Sequence, residues 1–127
     1  MQASARLFLV LGAAAMLAAV VLGAFGAHAL KERIRPELLV TYHTAVEYHV
    51  YHALGLLAVG LTALHLPDSA WLRASGWTMA AGIVLFSGSL YLLATTGVRA
   101  LGAVTPFGGA AFIIAWGLFA VAVLKAP

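Results

Sequence analysis

From Leu7 to Leu30 the chain carries no Asp, Glu, Lys or Arg. As a helix, a run of this length exceeds the ~20 residues that cross a hydrocarbon core ~30 Å thick. It offers no polar face to water, as the surface helix of a soluble domain must. The remainder of the chain agrees, with 64% hydrophobic and 9% charged residues among 127, far from the usage of soluble domains. The end of the run, Ala27-His28-Ala29, imitates the small-x-small cleavage site of a signal peptide. The apolar stretch is longer than the ~7–15 residues of a signal core, so a retained first helix over about 5–30 is expected.

Three further spans follow. Pro36 suits a helix start, and a second helix over about 37–66 runs to Pro67. Its strongly apolar part is only Ala53 to Leu64, which predicts that Thr41 to Leu54 sits in the outer third of the membrane or at headgroup level, where Tyr is at home. A third uncharged run covers Ala74–Thr96 (74–96), with Gly97 fitting a left-handed helix end. Thr105-Pro106 reads as an N-cap and an N1 proline, which places the fourth helix at 106–124. The expected architecture is all-α, a single integral membrane four-helix bundle with both termini on the same side. Arg6, Arg73 and Lys125 flank one membrane face, and Lys31, Arg33, Arg35 and Arg99 the other. Three basic residues against four leave orientation open under the positive-inside rule.

Alternating helices gather the polar side chains at one membrane face: His28, His43, Glu47, His49, His52, Tyr91, Thr95, Thr96 and Thr105 all belong to it. On helix 2, His43, Glu47 and Tyr51 share one arc, while Tyr48, His49 and His52 lie roughly opposite. Glu47 is the costliest group, since a carboxylate in a bilayer needs a cation, a donor or its own proton. His43, Arg99 and the Lys31 to Arg35 cluster are its expected partners. Ser87 and Ser89 can bond back to the previous turn of helix 3. Ala15, Ala19, Gly23 and Ala27 form a small-residue ridge on helix 1 that admits a close neighbour.

Several chemistries are excluded or disfavoured. There is no cysteine, hence no thiolate ligand, thiol nucleophile or disulfide. "SGS" at 87–89 is not a G-x-S-x-G nucleophile elbow, and no enzyme is expected. The net charge of +3 comes from scattered basic residues, which fits lipid headgroups rather than nucleic acid. Histidine spacing leaves a metal or haem site as an alternative, with His28, His49 and His52 as candidate ligands. No cofactor is otherwise called for.

"GAFGAHAL" at 23–30, "YHVYHALGLL" at 48–57, "LFSGSLY" at 85–91 and "TPFGGAAFIIAW" at 105–116 resemble one small family across all four helices. It is the bacterial domain-of-unknown-function 423 family, itself similar to eukaryotic transmembrane protein 256. The resemblance implies a multi-pass protein of the bacterial cytoplasmic (inner) membrane without an established activity. It covers Gly23, Phe25, Gly26, His28, Tyr48, His52, Phe86 to Ser89, Tyr91, Thr105, Pro106, Gly108, Gly109 and Trp116, and attaches no ligand role to them.

The expectation is therefore a membrane protein whose polar cluster, His28, Glu47, His52, Ser87, Ser89, Tyr91 and Thr105, packs the bundle and binds a small ligand, a lipid headgroup or a proton. The alternatives are a small channel or transporter and a metal- or haem-binding protein. Membrane lipids are expected neighbours, the small-molecule ligand is unspecified, and a homo-oligomer is expected because four helices leave little room for a pore inside one protomer.

Overall fold

The computed structural model describes residues 1–127 and contains helices and no strands. Helix α1 (Ala3–Phe25) widens into a π-helical turn, Gly26–Leu30. After a short charged link, α2 covers Pro36–Ala63. The third rod is α3 (Ala70–Gly82), a π-helical stretch Ile83–Gly88 and α4 (Ser89–Thr96) in direct succession. A 3-10 segment, Arg99–Ala103, leads to α5 (Thr105–Leu124). These are four helical rods, and three of them are long and apolar enough to cross a membrane: Ala3–Leu30, Ala70–Thr96 and Arg99–Leu124.

Local chemistry sets the ends. Pro36 occupies the first turn of α2 behind an extended Arg35, and Arg35 Nε lies 3.5 Å from Glu37 Oε1 at the exposed surface. Helix α3 starts at Ala70 rather than Ala74 because the Ser69 side chain accepts the Leu72 amide at 3.3 Å, and Arg73 is held within the first turn. Helix α2 ends at Ala63, ahead of the turn at Leu64. Gly97 closes α4 with φ +73° and donates its amide to Leu93, a conformation costly for any residue with a Cβ. Thr105 does not cap α5. Its hydroxyl is diverted to Ser89 Oγ at 2.6 Å, and the helix begins at Thr105 itself.

Helices α1 and α2 pair antiparallel through tight glycine contacts. Leu9 packs on Gly60, Leu57 on Gly12 and Val46 against Gly23, so one helix descends as fast as the other climbs. This register puts His43 level with Gly26, Glu47 with Leu22 and Tyr51 with Ala18, near the middle of the uncharged run of α1. The 41–54 stretch thus runs alongside residues 15–28 of α1 and its π-helical turn, from the end of the uncharged run to its middle. The reason is the short link 31–35, which starts α2 level with the end of α1.

The two ends of the bundle differ in what they gather. Ser4 Oγ donates to the Pro67 carbonyl at 3.4 Å, and Lys125 Nζ stands 4.7 Å above the Trp71 ring. Both termini therefore meet the α2–α3 turn at one end. A core of Phe8, Leu56, Val59, Leu72 and Met79 fills the bundle nearer that end. The outside is apolar: Leu124 is 83% exposed, Ile113 76%, and Phe107 and Val84 70%. Such a surface would aggregate in water and suits lipid.

Candidate functional site

Polar side chains enter the bundle interior from the second turn of α3 onward and gather toward the opposite end. His49, His52, Ser75, Ser87 and Ser89 are buried, and each has a partner. Ser75 Oγ donates to the Ala115 carbonyl at 2.7 Å, tying α3 to α5. Ser87 Oγ donates to the Ala45 carbonyl at 2.8 Å, tying the π-helical stretch to α2. Ser89 Oγ bonds Thr105 Oγ1 and also donates to its own Phe86 carbonyl at 2.9 Å. His49 Nδ1 lies 2.9 Å from the Tyr91 hydroxyl, joining α2 to α4. The buried Tyr42 hydroxyl donates to the Leu22 carbonyl, joining α2 to α1. No buried side-chain nitrogen or oxygen is left without a partner.

An aromatic cluster continues this layer between α2 and α5. The His52 ring stacks on Phe112 with centroids 3.4 Å apart and planes at 7°, and Trp116 tilts against it at 6.1 Å. His52 Nδ1 donates to the Tyr48 carbonyl one turn back at 2.6 Å, which fixes the ring in its stack. Tyr48 packs on Phe86 at 4.6 Å. The π-helical stretch swings Phe86 toward α5, where Gly108 receives it backbone to backbone. Such π turns insert a residue and re-aim side chains; here Ser87 reaches α2 while Phe86 reaches α5.

The structure thus brings together His49, His52, Ser87, Ser89, Tyr91 and Thr105, as a series of separate ties rather than around one cavity. It leaves two expected members outside. His28 is exposed on the π-helical turn beside Lys31 and Arg33. Glu47 is exposed on the outer side of α2, where the Tyr51 hydroxyl donates to its Oε1 at 3.2 Å. Its partner is Tyr51, not the expected Arg99 or the basic link. The metal candidates also stay apart: His49 and His52 turn to different neighbours, and His28 stands several helical turns above His52. No group of three His, Asp or Glu side chains is arranged to hold a metal ion. A haem held between His28 and His52 fails for the same difference in depth.

Tyr42 and Ser75 carry ties that the sequence reading did not single out. Their signal was weak: Tyr42 is one of three tyrosines in its stretch, and Ser75 is one serine beside Gly76. Removing a tie has a modest expected cost. Ser87→Ala should lower the stability of the bundle by about 0.6–1.7 kcal/mol, because the Ala45 carbonyl keeps its helical partner. Reversible unfolding by SDS in bicelles measures this, and a loss above that range would mean that Ser87 supports more than one contact.

The comparisons with known proteins agree with this picture of a membrane bundle. The family model described as "Protein of unknown function (DUF423)" matches residues 22–109. The "UPF0382 membrane protein YwdK" of Bacillus subtilis is 52% identical over 120 residues, covering 94% of this chain and 98% of that protein. A "UPF0382 membrane protein" of Staphylococcus epidermidis is 45% identical, covering 94% and 97%. No solved structure matches the chain. The match spans the polar layer from Leu22 to Gly109 and, together with these full-length relatives, shows that the chain belongs to the DUF423 family of bacterial membrane proteins.

Proposed function

We propose that the protein is a non-catalytic, multi-pass protein of the bacterial inner membrane that works as a homo-oligomer, and that its buried polar layer serves to hold the bundle rather than to bind a ligand. The observation that supports this most is the saturation of that layer. Every buried polar side chain is hydrogen-bonded, and five of the ties cross between helices through Tyr42, Ser75, Ser87, the His49–Tyr91 pair and the Ser89–Thr105 pair. A nucleophile needs a base within hydrogen-bond reach, and the buried serines instead spend their protons on backbone carbonyls.

The physical need for such ties is specific to lipid. Between helices already surrounded by hydrocarbon there is no hydrophobic drive to associate, so close packing and interhelical hydrogen bonds carry the fold. This gives the buried Ser, Tyr and His residues a purpose without a substrate.

A second reading, a small oligomeric channel or transporter, draws its support from Glu47. An exposed carboxylate at the level of Leu22 is expensive in lipid unless polar groups or water cover it.

Native mass spectrometry of the protein released from lipid nanodiscs, wild type beside His52→Ala, tests the lead reading. The expected result is an oligomer without a discrete small-molecule adduct in either protein, and a less stable mutant. Truncation beside Phe112 leaves a cavity, at a cost of about 2–4 kcal/mol. A bound mass present in the wild type and absent from the mutant would make His52 a ligand-binding residue and overturn the structural assignment.

A further inference from the structure

Helix α2 is the one rod that does not qualify as an apolar span, and half of the reason faces outward. Val40, Glu47, Leu54 and Leu61 recur at every seventh position and all are exposed. Thr44, Tyr51 and Ala58 fall between them, so that the stripe alternates steps of four and three residues along the helix. This is the a/d spacing of a seam that packs against another helix with a left-handed crossing. At ~1.5 Å per residue, Val40 to Leu61 extends about 32 Å, which matches a hydrocarbon core of ~30 Å. The seam therefore runs the full depth of the membrane and no helix of its own chain covers it.

Its composition names the occupant. Glu47 sits at a d position toward the middle of the seam, where its only partner within the chain is the exposed Tyr51 hydroxyl. His43 is one turn above it and is likewise exposed. A shallow groove along this face is lined by His43, Thr44, Glu47, Val50 and Tyr51. The seam thus carries one carboxylate together with an imidazole and two hydroxyls, which makes it complementary to itself under a two-fold axis along the membrane normal. Thr44 and Ala58, both small, allow two backbones to approach.

We propose that two copies of this chain dock α2 against α2 along this seam, with Glu47 of each copy taking hydrogen bonds from the Thr44, Tyr51 or His43 side chains of the other. The proposal rests on the oligomeric part of the function given above and specifies the surface. A single polar residue within an otherwise apolar a/d seam favours the one register that pairs it, and Glu47, at d, has that role here. Docking removes the carboxylate from lipid without calling on a second kind of protein.

The chain has no cysteine, so single substitutions report proximity without background. Val40→Cys and Leu54→Cys place a thiol on the seam, while Val21→Cys on α1 and Ile113→Cys on α5 place one on exposed faces away from it. Oxidation in native membranes with a membrane-permeant oxidant should give disulfide dimers from the two seam variants and few from the other two. Adding Glu47→Leu to Leu54→Cys should lower the dimer yield roughly three- to tenfold, whereas Glu47→Gln, which still bonds across the seam, should keep most of it. Dimers formed through Val21→Cys or Ile113→Cys alone would overturn the seam while leaving the homo-oligomer in place. A cross-linked product whose mass differs from twice the chain would assign the face to another protein. Single-copy mass in nanodiscs with no cross-link at any position would remove the seam and the oligomer together.

Discussion

Gly108→Ala should cost the bundle about 3 kcal/mol or more, the largest effect of any single methyl group in the chain. A Cβ built at Gly108 runs into the amide nitrogen, Cα and Cβ of Phe86, and two of those three atoms are backbone. No rotamer change relieves such a clash. Either α5 moves outward or the π-helical stretch Ile83–Gly88 rewinds, and both motions break other contacts. Moving α5 pulls Thr105 from Ser89 and Phe112 from His52, and rewinding turns Ser87 away from Ala45. Gly117→Ala on the same helix meets nothing within 4 Å and should change stability by less than about 0.5 kcal/mol. Thermal unfolding in detergent, followed by tryptophan fluorescence, separates the two variants. Equal stability of Gly108→Ala and Gly117→Ala would mean that α5 does not approach the π-helical stretch this closely. Gly26→Ala should fall between them, since its obstacle is the Tyr42 ring, a side chain that can yield partly.

Spans were legible in the sequence because lipid imposes a single strong requirement, about 20 residues without charge, and Leu7–Leu30 meets it without interpretation. The same requirement says little about helix interiors. The widening at Ile83–Gly88 leaves hydropathy unchanged, so nothing in "IVLFSG" marks it apart from its flanking glycines. Hydropathy marks only Ala53 to Leu64 as the apolar half of α2; the register of α2 against α1 is set instead by the tight pairing of Gly12 with Leu57 and Gly60 with Leu9. Helical periodicity did separate the two polar arcs of α2. Which arc faced inward depended on partners in other helices. His49 has Tyr91 and His52 has Phe112, whereas Glu47 has only Tyr51 one turn below it on the same outer face. Residue type alone ranked Glu47 and His28 inside the cluster, and both lie outside it.

The His49–Tyr91 pair is where the polar layer joins the most elements, and a double-mutant cycle there should show it. The His49 ring touches α4 through the Tyr91 hydroxyl at 2.9 Å. Tyr91 in turn tilts against Tyr42 with centroids 5.3 Å apart, and the Tyr42 hydroxyl reaches the Leu22 carbonyl on α1. One chain of contacts thus links α1, α2 and α4 over about two turns of α2. His49→Leu keeps most of the volume but strands the Tyr91 hydroxyl, and Tyr91→Phe strands His49 Nδ1. Each should cost about 1–3 kcal/mol as an unsatisfied buried group. In the double variant both polar atoms are gone, and the loss should fall below the sum of the singles by about 0.6–1.7 kcal/mol. Reversible unfolding in bicelles measures all four corners of the cycle. Strict additivity would show that the two side chains do not act as a pair, and the chain of contacts would then reduce to the Tyr42 contact. A coupling in the stated range would also explain why a chain with so little polarity keeps a histidine here. In lipid an imidazole without a partner is a cost, whereas one that joins α2 to α4 fixes their rotation about each other and, with it, the outward aim of Glu47.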